Sequence, residues 1–513
     1  MGAIRDLASR FGLIKPTTIT NSFESAGQRR RLKSWQPTQN TINTILSSQG
    51  MLLRARARDA TRNNPHATAA VESWAANLIG TGIKPSSLIV NQPAVREDIM
   101  QAWLDWTDLA DADGLADFYG LQTIVARSIF EAGECFIRFR SRRPEDGMAV
   151  PMQVQLLESE MCPYWLNRPA TNGNYIMNGI ELDLLGKRAA YWFLPTHPGD
   201  KPIESYVGVE PVRVPASEVL HVFKCTRPGQ MRGVPLVTPA LVRMFLLDQY
   251  DDAELERKRI AAMFAGFVTT ATPEDVIPID GIDGSAPQEN IGLSGLEPGT
   301  MQTLLPGEDV KFSEPADVGG SYEAYQYRQQ LALYAALGIP YTLATSDLRR
   351  ANYSSLRGSI VEFRRRLEQF QHNIIVFQMC APIWRRWLDT AVLAEAVDIA
   401  PAVYLAAQTT YQRAKWIPQR NDWVDPLKDR QAEKLAVDAG FKSRSDVIEA
   451  EGFDPEENDR RIAADKAREE KLDLVFPTLY AAATQPVAPS DQADQDAIDQ
   501  AAQDAADQQD DAA

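Results

Sequence analysis

The sequence predicts an α+β protein, and three observations carry that expectation. Capped, amphipathic helix patterns fill residues 59–132, and short period-two runs split by turn residues follow as far as 236. A helix without Gly or Pro between Ala240 and Ala265 then leaves toward a Pro/Gly/Asp-rich insert, and a second helix returns from it. Periods of 3.6 and 2 in one chain mark a mixed architecture, and an out-and-back helix pair marks an arm with a small module at its end.

Taken in order, residues 1–58 have weak periodicity and many Ser, Thr, Asn, Gln and Arg, including Arg29, Arg30 and Arg31, and read as a basic arm that is partly ordered at best. The first clear helix has Asn64 as cap and Pro65 in its first turn, an apolar stripe of Ala67, Ala70, Val71, Trp74, Ala75 and Leu78, and Gly80 and Gly82 as stops. Helices over about 96–109 and 118–132 follow, the latter with Leu121, Ile124, Val125, Ile129 and Phe130 inward. ECFIRFRSR, MQVQLLE, NYIMNGIELD, RAAYWFLP and VLHVFK are strand-like and predict a mostly antiparallel sheet, with Asn178-Gly179 as a hairpin turn. Thr238 before Pro239 is the expected cap of the outgoing helix, and Gly338 ends the returning one. A long helix is expected from Ser354 to Ala396, kinked or broken near Met379 by Pro382. Short helices fill 401–475, with Asp425-Pro426 and Asp454-Pro455 as starts and Gly440 and Gly452 as stops. Beyond 476 the Ala/Gln/Asp repeats cannot build a core, so an acidic disordered tail is expected.

A net charge of −16 argues against a surface that grips nucleic acid everywhere. Cys135, Cys162, Cys225 and Cys380 are widely spaced, which fits reduced, buried thiols in a cytoplasmic setting. No apolar run reaches the roughly 18 residues that a membrane span needs, and no secretory signal is evident.

Enzymatic signatures fail on specific residues. Gly186-Lys187 lacks the rest of a phosphate loop, with Glu181 and Arg188 at positions the loop needs for Gly and Ser/Thr. Gly292-Leu293-Ser294-Gly295 has Leu296 where a nucleophile elbow needs Gly. Asp111, Asp113 and Gly114 imitate a calcium loop, but Leu109 and Gly120 hold its first and last ligand positions. His221 and Cys225 have no further ligands for zinc, so His221 reads as a core histidine; Cys135 reads as a strand residue and Glu158 with Glu160 as acids at a strand end. No enzyme, metal or cofactor is expected. The basic cluster Arg349, Arg350, Arg357, Arg364, Arg365 and Arg366 remains; Arg364–Arg366 pair plausibly with Glu362 and Glu368, whereas Arg349 and Arg350 sit in a polar loop open to phosphate contact.

Several stretches, in order, resemble the lambda family of tailed-phage portal proteins: RARDATRNNPHATAAVESWAANLIGTGIKPS, YWFLPTHPGD, EVLHVFKCTRPGQMRGVP, LLDQYDDAELERKRIAAMFAGFV, LLPGEDVKFSEP, GIPYTLATSDLRRANYSSLR and VDPLKDRQAEKLAVDAGFKSRSDVI, together covering about 50–475. The resemblance implies a portal fold with an α/β wing, long stem helices, a small α/β clip and a helical crown. Onto this sequence it maps a basic arm at 1–58, the first part of the wing at 59–236, a stem helix at 237–268, the clip at 269–319, the return stem helix at 320–337, a channel loop at 338–353, a long kinked wing helix at 354–400, the crown at 401–475 and the acidic tail at 476–513. It further implies a dodecameric ring at one capsid vertex, in the virion after assembly in the host cytoplasm, through which double-stranded DNA is packaged and ejected without sequence readout. The implied partners are the major capsid protein, a terminase supplying the packaging ATPase, and head-completion adaptors; no membrane is involved. Ser346, Asp347, Arg349, Arg350 and Asn352 are the candidate DNA-channel residues. The competing expectation is a non-portal DNA-binding structural protein of the virion.

Overall fold

The computed structural model describes residues 37–89, 92–170, 172–200, 210–262, 266–270, 308–312, 321–420 and 426–474. The chain divides into two compact units, residues 1–419 and 420–513.

The first unit begins with a correction. Helix α1, Ile42–Asn63, takes in the last stretch of the expected arm, residues 42–58, capped by Thr41, whose side chain accepts from the Thr44 backbone N–H. Its buried face is Leu46, Gly50, Arg54, Ala57 and Thr61, a stripe with helical spacing but little apolar character. Gly50 is required there because a Cβ would lie 2.8 Å from the Tyr164 ring. Residues 1–36 lie outside the described part.

Helix α2, Pro65–Leu78, is as expected: the Asn64 side chain accepts from His66 and Ala67 N–H, and Ala67, Ala70, Val71, Trp74, Ala75 and Leu78 are buried. Gly80 and Gly82 take positive φ beyond it. Strand β1, Lys84–Ser87, and helices α3, Pro93–Thr107, and α4, Phe118–Glu131, follow. Ile124 was expected inward but is 42% exposed. Gln122 is buried instead, its amide donating to the Ile83 carbonyl and accepting from the Ile83 N–H.

The expected single sheet is two. Strands β2, Glu134–Ser141, β3, Met152–Leu157, and β9, Val219–Phe223, form a three-stranded sheet in the order β3-β2-β9. Strands β4, Arg168–Pro169, β5, Tyr175–Met177, β6, Ile180–Leu182, β7, Arg188–Phe193, and β8, Val212–Pro215, form a five-stranded meander. Each ladder is antiparallel. Asn178 and Gly179, at φ 53° and 79°, make the expected hairpin turn between β5 and β6. The split follows from β2: Cys135, Ile137 and Phe139 face the main core, whereas Phe136 packs with Ile180, Tyr191 and Phe193 of the meander.

Helix α5, Thr238–Ala262, is shorter than expected, since strand β10 begins at Gly266, where β-branched Val268, Thr269 and Thr270 favour extended backbone. Thr238 Oγ1 is buried and makes no hydrogen bond among the described residues, so it does not act as the expected cap. Of the expected clip only β10, Gly266–Thr270, and β11, Glu308–Phe312, an antiparallel pair, are described. Helix α6, Ser321–Leu337, returns and ends at Gly338, φ 73°. A short helix α7, Tyr341–Thr345, interrupts the expected loop.

The expected long helix is continuous but not uniform. Helix α8, Tyr353–Phe370, passes into a π-helical stretch, Gln371–Cys380, and then into α9, Ala381–Leu393. Pro382 lacks an N–H and its ring crowds the preceding turn; the helix meets this by widening upstream, with Ala381 N–H donating to the Val376 carbonyl, rather than by breaking. The two helices flank a core in which Trp103 lies 5.0 Å from both Trp384 and Trp387, ring centroid to centroid, with Phe118 at 5.1 Å.

Residues 401–419, expected in the crown, belong to the first unit. Helices α10, Pro401–Ala406, and α11, Gln408–Tyr411, sink Tyr404 and Tyr411 into its core, and strand β12, Ala414–Ile417, pairs with β1.

The second unit contains α12, Pro426–Asp438, α13, Arg444–Ala450, and α14, Pro455–Lys471. Ser443 and Asp454 cap α13 and α14, and Gly440 and Gly452 take positive φ. No apolar side chain among its described residues is buried: Leu435 is 70% and Phe441 85% exposed. The expected tail lies outside the described residues.

Candidate functional site

The candidate loop is held between two helix ends. Ser346 ends α7 in the left-handed region at φ 57°, which turns the chain back across α6. Asp347 follows and its carboxylate gathers three side-chain donors from two residues. It accepts from Tyr341 Oη at 3.1 Å and from Arg349 Nε and Nη2 at 3.0 and 2.9 Å. These bonds hold the Asp347 carboxyl well below the usual range and push the Arg349 guanidinium up. Arg349 Nη1 also reaches Glu323 of α6 at 3.7 Å. Arg350 Nη2 lies 3.5 Å from the same Glu323 carboxylate, and its guanidinium stacks over the Tyr327 ring at 4.4 Å. Asn352 is a helix cap: its side chain accepts from Ser355 N–H, and Ser355 Oγ accepts from Asn352 N–H.

The five predicted residues therefore lie in one short segment, and three of them, Asp347, Arg349 and Arg350, share a cleft of about 340 Å³ lined also by Asp251, Tyr322, Glu323, Gln326 and Tyr341. Ser346 and Asn352 shape the backbone on either side. Both arginine side chains stay more than half exposed, so their N–H groups face solvent as well as carboxylate. Arg366 pairs with Glu362 at 3.5 Å, as expected of a solvated helix face.

The remaining chemistry-bearing groups serve the fold. Asp111 spends its carboxylate on the N–H groups of Asp113, Leu115 and Ala116, closing a turn. Glu158, Glu160 and His197 gather within reach of one another, as a metal would require. Yet Arg58 bridges both carboxylates at 2.9 and 3.0 Å and Arg54 takes Glu160 at 2.8 Å. His197 Nδ1 accepts from Gly199 N–H, which leaves the proton on the Nε2 that faces Glu158. Burial pushes the Cys135 thiol up to about 12, so it is no nucleophile. Cys225 is exposed, contrary to expectation.

Sequence reasoning missed a fully enclosed polar group of the first unit. Glu134, Arg232, His221 and Ser159 form a network shut off from solvent. Arg232 donates to both Glu134 oxygens, and to the carbonyls of Cys162, Asn178 and Ser159 at 3.0, 2.7 and 3.2 Å. Glu134 also accepts from Ser159 Oγ at 2.5 Å and Gly233 N–H at 2.7 Å, and pairs with His221 Nε2 at 2.9 Å. Arg232 beside it holds the Glu134 carboxyl well below its ordinary range against the cost of burial, whereas burial lowers His221 to about 4. His221 is thus a core histidine, as expected, stacked 4.3 Å from Phe136, but only its Nε2 is bonded; its buried Nδ1 makes no hydrogen bond among the described residues.

The phage portal proteins of the lambda family match residues 28–371. A probable portal protein of Halomonas phage phiHAP-1 is 25% identical over 94% of this chain and 94% of its own length. Portal protein B of Escherichia phage lambda is 21% identical over 89% of this chain and 92% of its own. Among solved structures, a chain in the neck of the native gene transfer agent particle, computed with C12 symmetry, is 16% identical over 80% of this chain and 94% of that chain, at a TM-score of 0.44. A family match over residues 28–371 spans well over half of the sequence, and the chain belongs to the lambda family of phage portal proteins.

Proposed function

We propose that this chain is the subunit of a dodecameric ring at one vertex of a phage head, the conduit for double-stranded DNA in packaging and ejection. The observation that carries the reading is the family match over residues 28–371, extended by a portal relative aligned along 94% of both chains. In this reading the helices and two sheets before α5 are the wing, α5 and α6 the stem, the β10–β11 module the clip, and the second unit the crown. The loop from Gly338 to Tyr353 faces the channel, where Arg349 and Arg350 contact the phosphate backbone irrespective of sequence. The capsid protein surrounds the wing, and a terminase and later head-completion adaptors dock on the clip. The work of packaging then belongs to the terminase's nucleotide chemistry, and the portal contributes shape and charge. A chain of net charge −16 suits a conduit, because excess acid keeps DNA sliding while a few loop arginines give a local grip.

Negative-stain imaging of the purified protein tests the reading. Closed rings with a central hole are expected, and they survive deletion of 477–513. A monodisperse monomer at every concentration and salt tried would overturn it.

A further inference from the structure

We infer that Glu323 is a latch that stows the loop arginines against the stem, its carboxylate competing with a DNA phosphate for their N–H groups. The inference rests on the channel-facing reading of the loop given above and adds a positioning residue to it.

Three features of the loop and α6 converge. The carboxylate of Glu323 is the shared partner of Arg349 Nη1 at 3.7 Å and Arg350 Nη2 at 3.5 Å, although it comes from the first turn of α6, about 26 residues upstream in the chain. Tyr327, one turn further along the same helix, receives the Arg350 guanidinium on its face at 4.4 Å, so α6 offers both an anion and a ring to the loop. The loop is shaped to reach them: Ser346 turns back at φ 57°, and Asp347, itself held by Tyr341 Oη, fixes the Arg349 side chain.

A carboxylate and a phosphate present the same kind of acceptor to a guanidinium, so the two compete for one set of N–H groups. All the latch pairs are exposed, Glu323 at 64% and Arg349 at 75%, which puts each in the range of weak surface ion pairs. A weak latch suits an exchange that passing DNA must make and undo. Asp347, by contrast, is 19% exposed and stays with Arg349 in either state, as a hinge post and not a competitor.

The test uses the assembled protein, random-sequence duplex DNA and a binding isotherm at fixed low salt, with four proteins: parent, Glu323→Gln, Arg349→Gln with Arg350→Gln, and all three changes together. Glu323→Gln is expected to bind about two- to tenfold more tightly, the range of one or two exposed ion pairs. The gain is expected to vanish in the triple variant, because it acts through the two arginines. Trypsin should also cut after Arg349 or Arg350 faster in Glu323→Gln without DNA. Unchanged affinity in Glu323→Gln, while the arginine pair does weaken binding, overturns the latch and leaves the channel-loop reading standing. An equal gain in the triple variant also overturns it, since the effect is then bulk charge. No effect of the arginine pair in either background overturns the loop reading and the latch together.

Discussion

Replacing Arg232 by Met tests the energetic account of the first unit most severely. The side chain is fully enclosed and Met matches its stem, so the change removes charge and donors while keeping much of the volume. What it leaves behind is a Glu134 carboxylate with Ser159, Gly233 and His221 as its remaining partners, and the Cys162 and Asn178 carbonyls without their 3.0 and 2.7 Å donor bonds. Breaking a buried pair by deleting one member costs about 3–5 kcal/mol. Against a total stability of about 5–15 kcal/mol this is a large share, so the variant is expected to be largely insoluble at 37 °C. Urea unfolding followed by tryptophan fluorescence reads the loss, since Trp103, Trp384 and Trp387 pack together in the core. Adding Glu134→Leu removes the stranded charge, and the double variant is expected to recover at least half of the deficit. A single variant within about 1 kcal/mol of the parent refutes the reasoning, as does a double variant no better than the single.

Three further outcomes follow from the same structure. His221 ionises near 6.5 when unfolded but near 4 when folded, so between those values the unfolded chain binds more protons; urea midpoints should fall as pH drops from about 6.5 to 4, and His221→Gln should flatten that slope. Glu134 runs in the same direction but at lower pH, because its carboxyl is held down and its contribution is lost as pH falls through that depressed value. Gly133→Ala places a Cβ 2.5 Å from the Val234 carbonyl carbon and 2.6 Å from Pro235 N at φ +89°, and should cost at least about 2 kcal/mol in a urea titration; a shift under about 0.5 kcal/mol would count against the close backbone approach. A fragment of residues 420–513 should show no cooperative thermal transition by circular dichroism, since no apolar side chain among its described residues is buried to offset chain entropy; a sharp, reversible transition would contradict this.

What could be read from the sequence was whatever is decided locally. Asn64-Pro65 announced α2 because an Asx cap and a proline act within four residues, and Asn178-Gly179 announced its hairpin because the turn needs two positive φ angles in succession. Helix α1 was hidden because its buried stripe runs through Gly50, Arg54 and Thr61, residues that hydropathy scores as exposed. The two-sheet arrangement was hidden because β2 has apolar residues on both faces, which erases the alternation that would assign it to one core. The buried polar network was beyond reach for a different reason: Glu134 and Arg232 stand 98 positions apart, each unremarkable beside its neighbours. At the candidate site, composition was enough to single out Arg349 and Arg350. Their partners Glu323 and Tyr327 emerged only when α6 and the loop were brought together in space.

The pairing of β1 with β12 sets a clock on synthesis. Lys84 meets Ile417 across about 330 residues of chain, and neighbouring ties repeat the arrangement: Thr81 N–H donates to Gln419 Oε1, and Leu88 N–H to the Arg413 carbonyl. At about 5–20 residues per second, a ribosome needs roughly 15–65 s to deliver the second partner after the first has emerged. Through that interval the edge at Lys84–Ser87 has no strand to pair with, and Tyr404 and Tyr411 are missing from the core they complete. The first unit therefore closes only after residues 414–417 have been delivered. Truncated products that stop before residue 414 lack the strand that closes this unit and leave its β1 edge open.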